Sequence, residues 1–132
     1  MKRHEKLQDL SREHYSALKL ALQAKRAATS GKPAQIDASA AACVAAFAAE
    51  LEPHFQVEEN TLLPMLVASG ESELVQRVER DHGDLRLLVA QLRQPEASAL
   101  LAFAELLTAH VRFEEREMFE AAEALYARIG SD

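Results

Sequence analysis

Apolar residues recur along most of the chain at alternating steps of three and four positions, the spacing that gathers them on one face of an α-helix. In the first stretch Leu7, Leu10, Ala17, Ala21, Ala24 and Ala28 share a face, and in the second Phe47, Leu51, Leu62 and Met65. The third gives Val75, Val78, Leu85, Val89 and Leu92, and the fourth Leu100, Phe103, Leu107, Ala121 and Leu125. Strong helix formers fill the same regions, so the pattern predicts helices over 3–29, 38–68, 72–93 and 96–129, with Asp37 and Ser72 as N-caps. Gly31 and Pro33, Gly70, and Pro95 punctuate the joints, and no alternating run or hairpin dipeptide suggests a strand. Pro53 and Pro64 fall inside the second helix, which is expected to bend there because an internal proline removes a backbone hydrogen bond. Four amphipathic helices with short connections imply an all-α fold, an up-down-up-down antiparallel four-helix bundle.

Each stripe skips a position or two, and polar residues fill the gaps. The first helix has His14 between Leu10 and Ala17, and the third has His82 between Val78 and Leu85. The second carries His54 and then Glu58, and the fourth His110 and then Glu114. Counted along the helices, these residues lie at matching depths within about one turn, so they are expected to meet in one layer of the core. Imidazoles and carboxylates buried without partners are costly, and a metal ion supplies the missing compensation. A histidine four residues before a glutamate lets both side chains reach one centre, and two such helices can offer two shared carboxylates to a pair of ions. The His-x-x-x-Glu spacing alone is a weak signal. Its weight here comes from two copies on core stripes, with one core histidine on each remaining helix.

Composition narrows the function classes. With 132 residues and 48% hydrophobic content the chain is expected to be one domain, 1–132. Fifteen basic residues against 21 acidic ones give a net charge of −6, and no basic stripe argues for nucleic acid as a partner. The lone Cys43 excludes an internal disulfide, a thiolate zinc site and an iron–sulfur cluster. The opening MKRHEKLQDLSREH has no apolar core, and the weakly polar run Ala38–Ala49 is mostly alanine, so a cytoplasmic protein without a membrane span is expected. No segment supplies the nucleophile, base and orienting group of a hydrolase.

The segments HFQVEENTLLPML (54–66) and HVRFEEREMF (110–119), with REH (12–14) and RDH (80–82), resemble the hemerythrin-like family of HHE cation-binding domains. The resemblance spans nearly the whole chain and implies a four-helix bundle holding a non-haem centre of two iron ions, oxo- or hydroxo-bridged. It implies that His14 and His54 bind one iron and His82 and His110 the other, with Glu58 and Glu114 bridging. The oxygen-carrying members are similar to a five-histidine pattern whose extra histidine falls where this chain has Arg86. Their last carboxylate is an aspartate, one residue beyond Glu114, where this chain has Glu115. The four-histidine form resembles HHE domains linked to iron sensing, nitric oxide response and iron–sulfur repair. Each iron would then have five of six positions filled, and both would keep one exchangeable site unless Glu79 or Glu117 adds a ligand.

The leading expectation is a protein that binds oxygen, nitric oxide or peroxide as sensor, carrier or iron store. A di-iron oxidoreductase or cluster-repair factor is the alternative, and an interaction protein whose bundle pairs into a homodimer, with the metal structural or lost, is the third. Glu79 and His82 have the Glu-x-x-His spacing of ferritin-like bundles, which need it on two helices and here have it on one. Glu59 and Glu115 sit about 100° round the helix from their neighbours, where they are expected to face solvent or to brace the ligands from behind. His4 is expected to be exposed, Tyr15 and Tyr126 to pack at the bundle edge, Met65 and Met118 to fill the core, and Cys43 to be a small buried residue.

Overall fold

The computed structural model describes residues 3–130; the ends of the single-domain expectation, 1, 2, 131 and 132, lie outside the described residues. Helix α1, Glu5–Ala28, starts where His4 Nδ1 accepts the amide of Lys6 at 3.1 Å, and its charges suit the helix dipole, with Glu5 in the first turn and Lys25 and Arg26 in the last. Helix α2, Pro33–Ala68, begins five residues before the expected start at 38. Pro33 takes the first helical position, where its missing N–H costs nothing, so Asp37 lies inside the helix rather than at its cap. Helix α3, Ser72–Gln91, likewise has Glu71 rather than Ser72 at its N-cap. Between α2 and α3 the chain makes a Schellman turn. Glu71 N donates to Leu66 O at 2.9 Å and Gly70 N to Val67 O at 3.0 Å, with Gly70 at φ +94°. Helix α4 covers 97–130. No strand occurs among the described residues, and the four helices form the expected bundle, each packed on its neighbours in sequence and α1 closing the ring against α4.

The prolines of α2 are absorbed by widening the helix rather than by ending it. π-turns cover Phe47–Leu51 and Glu58–Leu62, directly before Pro53 and Pro64 in space and sequence, with Glu52 N bonded to Phe47 O and Leu63 N to Glu58 O. In a regular turn each proline ring would meet the carbonyl four residues back, at 49 or 60, and both residues lie within the wide turns. A third π-turn, Glu114–Met118, interrupts α4 without any proline. Each wide turn adds one residue to the helical phase, so the inward stripe slips by one position beyond it. The slip corrects three expectations: Met65, Ala121 and Leu125 are only half-buried, while Leu63, Leu66, Phe119 and Ala122 fill the core.

The interior divides into two apolar clusters. One gathers Ala17, Ala21, Phe47, Phe55, Phe103 and Leu107 with their neighbours, and the other Leu7, Leu62, Leu66, Val78, Met118 and Phe119. Alanine on α1 allows the close approach of α4. Between the clusters lies a layer of polar side chains. Helix α2 is long and apolar enough to cross a membrane by length and composition alone. Its buried His54 and Glu58 belong to the polar layer.

Candidate metal centre

All six side chains expected in the core meet in that layer. His14, His54, His82 and His110 are at most 4% exposed, and Glu58 and Glu114 are fully buried. The second π-turn of α2 and the π-turn of α4 begin at Glu58 and Glu114, so the local widening starts at the two shared carboxylates. Glu114 Oε1 lies 2.8 Å from His14 Nε2 and 3.8 Å from His54 Nε2, while its Oε2 lies 2.9 Å from His110 Nε2 and 3.5 Å from His82 Nε2. Glu58 divides in the same way, Oε2 lying 3.0 Å from His54 Nε2 and Oε1 3.1 Å from His82 Nε2. Two groups result, His14, His54, Glu58 and Glu114 in one and Glu58, His82, His110 and Glu114 in the other, each able to close on a metal ion.

Several of the inward-facing atoms have no partner of their own. His54 Nε2, His82 Nε2, His110 Nε2, both oxygens of Glu58 and Glu114 Oε2 are buried with no hydrogen-bond partner among the described residues. Orphaned polar atoms are rare in protein interiors because each one sacrifices its hydration, and here they share one small volume. Two imidazole nitrogens with two carboxylate oxygens per group suit a divalent or trivalent transition metal, iron among them.

The opposite ring nitrogens are all occupied by carboxylates. Glu13 on α1 accepts from His54 Nδ1 on α2 at 2.8 Å, and Glu59 on α2 from His82 Nδ1 on α3 at 2.7 Å. Asp81 on α3 accepts from His110 Nδ1 on α4 at 3.1 Å, and Glu115 on α4 from His14 Nδ1 on α1 at 2.6 Å. These contacts pass once round the bundle. Because a carboxylate only accepts, Nδ1 carries the proton and Nε2 is left to face the centre. Arginines stand behind three of the four acids: Arg86 on Glu59 at 3.0 Å, Arg3 on Glu115 at 3.2 Å, and Arg77 at 3.8 Å from Asp81. Two rings are also braced by stacking, Phe55 on His82 at 3.8 Å and Phe119 on His14 at 5.1 Å between centroids.

The buried charges of the layer shift one another's proton affinity. Burial alone would lower each imidazole, but the two central carboxylates outweigh it, raising His54 to about 11, chiefly through Glu114 and Glu58, and His82 to about 9. His110 rises to about 10 against the same burial penalty through Glu114 and Asp81. Burial and the charge of Glu114 push Glu58 up, whereas Glu114, despite burial, is held well below the usual range by His110, His14 and His54. The two carboxyls are thus driven in opposite directions by the same layer.

Residues around the site fall partly as expected. Glu59 and Glu115 brace ligands, Met118 and Cys43 are buried, and burial pushes the Cys43 thiol up to about 11. Glu79 and Glu117 are exposed and belong to neither metal group. Arg86 turns away to Glu52 at 2.7 Å and to Glu59. His4 is half-buried rather than exposed, because it caps α1 and stacks on Tyr126 at 4.5 Å. Tyr15 stands free of the bundle edge at 83% exposure. Sequence reasoning missed Glu13, Asp81 and Phe55. The signal for the first two was present, since each lone core histidine directly follows an acid, as Arg-Glu-His and Arg-Asp-His.

In comparison with known families, the family model of the hemerythrin HHE cation-binding domain matches residues 5–122. No curated protein and no solved structure matches the chain.

Proposed function

The chain belongs to the hemerythrin HHE cation-binding domain family, and from that premise we propose that the polar layer holds two iron ions and binds a small ligand, oxygen, nitric oxide or peroxide, as sensor, carrier or iron store. In this reading His14 and His54 hold one ion, His82 and His110 the other, and Glu58 and Glu114 give one oxygen to each. The observation that carries it is the set of six orphaned buried atoms facing one another between two halves of apolar core. Two irons would supply reversible electron transfer and open coordination positions for the ligand. The protein's own part is to fix the imidazoles through Nδ1, to keep water out with the apolar clusters, and to leave no further protein ligand, as the outward positions of Glu79, Glu117 and Arg86 support.

Elemental analysis and an absorption spectrum of aerobically isolated protein test the reading. Two irons per chain with ligand-to-iron charge-transfer bands are expected; a single zinc, or no metal after growth in iron-rich medium, overturns it. Added reductant separates binding from turnover. Reversible binding predicts no sustained consumption of oxygen or nitric oxide, and steady consumption would move the protein to the oxidoreductase class.

A further inference from the structure

The two metal positions match in their ligands and differ in their surroundings. A cleft of about 150 Å³ opens between α1 and α2, walled by Ser16 and Leu20 on one side and by Ala49 and Glu50 of the first π-turn on the other. At its floor lie Glu13, Ala17, Leu51 and His54, which are also walls of a smaller pocket beneath. That pocket has about 10 Å³ for the centre of a water-sized molecule, enough for roughly one such molecule. It reaches His14, His110 and Glu114 past the apolar faces of Leu107 and Val111. Both histidines of the first metal group border it, while His82 of the second lies under the Phe55 ring at 3.8 Å.

Glu13 stands between cleft and pocket, and it is the odd member of the carboxylate ring. Its side chain is 53% exposed, against 30% for Glu115, 25% for Glu59 and 8% for Asp81. The other three acids each have an arginine beside them, and among the described residues the polar partner of Glu13 is His54 Nδ1. The charged residues of the cleft, Glu13 and Glu50, are acidic, so the passage repels anions and admits neutral molecules.

Resting on the function proposed above, we propose that a small uncharged ligand reaches the centre through this cleft, past Glu13 and into the pocket shared by His14, His54 and His110. A passage sets rates without setting affinity. A bulky residue at its outer mouth therefore slows association and dissociation by the same factor and leaves the equilibrium alone.

Stopped-flow absorption of the iron-loaded protein with nitric oxide and with azide tests this. Ser16→Trp, at an exposed position, is expected to slow nitric oxide association and dissociation equally, on the order of tenfold, with Kd and iron content unchanged. Ala49→Trp on the facing wall repeats the test should the first variant fold poorly. Glu50→Gln is expected to speed azide about twofold and leave nitric oxide unaffected. Unchanged rates in both tryptophan variants, with wild-type protein binding normally, overturn the route and leave the function standing. Iron-loaded wild type that binds neither probe overturns both.

Discussion

A neutral imidazole donates through one nitrogen and offers a lone pair on the other, so whatever occupies Nδ1 decides what Nε2 can do. In this protein four carboxylates make that choice four times. Asp81 is the most buried of them, and Asp81→Ala is expected to weaken metal binding about 10–100-fold in a chelator competition, whereas Glu79→Ala on the exposed face changes nothing. Glu58→Ala and His110→Ala remove donors outright. Each is expected to lose the paired ions while circular dichroism keeps its helical signal, because the apolar clusters do not depend on the layer. Two ions retained in His110→Ala would refute the ligand assignment. The six inward residues were legible in the sequence because each interrupts an apolar stripe at core phase. Glu13 and Asp81 were marked only by standing directly before a core histidine, and the histidine each one serves, on the following helix, becomes its neighbour only after packing.

Within the elements, the informative feature is the wide turn. Helix existence and order followed from the 3.6-residue pattern, but the phase beyond Glu58 and Glu114 did not, since no local propensity marks where a helix takes in an extra residue. Pro53 and Pro64 were legible as disturbances, and their physical outcome, a widened turn before each, depends on neighbouring helices holding the stripe in place. Deleting Asn60, exposed within the second π-turn, is expected to rotate Leu63 and Leu66 out of the core. The loss should be on the order of 3–6 kcal/mol in denaturant unfolding, from two leucine side chains returned to water. A deletion variant of wild-type stability would mean that the wide turn does not set the phase.

For the molecule as a whole, the layer makes stability depend on pH with opposite sign in the two metal states. In the stripped protein the imidazoles titrate above their ordinary 6.5, so their contribution is complete below that value and fades as pH rises through about 9 for His82, 10 for His110 and 11 for His54. Glu114, held low, adds stability above the carboxylate range and loses it as pH falls. Metal displaces the Nε2 protons, so the loaded protein holds its ions more firmly with rising pH and releases them below about pH 5–6. Thermal melts at pH 6.5 and 9.5 should therefore fall with pH for chelator-treated protein and not for loaded protein. Full iron retained at pH 4 would contradict the ligand set. The bundle class was legible from periodicity and loop length alone, whereas the division of its interior by a charged layer needed the depth of four helices at once.

The carboxylate ring carries one more consequence. Every bond from an acid to an imidazole crosses from one helix to another, so no single helix owns both a ligand and the group that steadies it. In the proposed reading an ion held there would escape when neighbouring helices separate, so its residence time would follow how often the bundle opens. Isotope exchange of bound iron should accordingly accelerate in mild urea in step with amide deuteration at the waist of the bundle, long before any unfolding is visible.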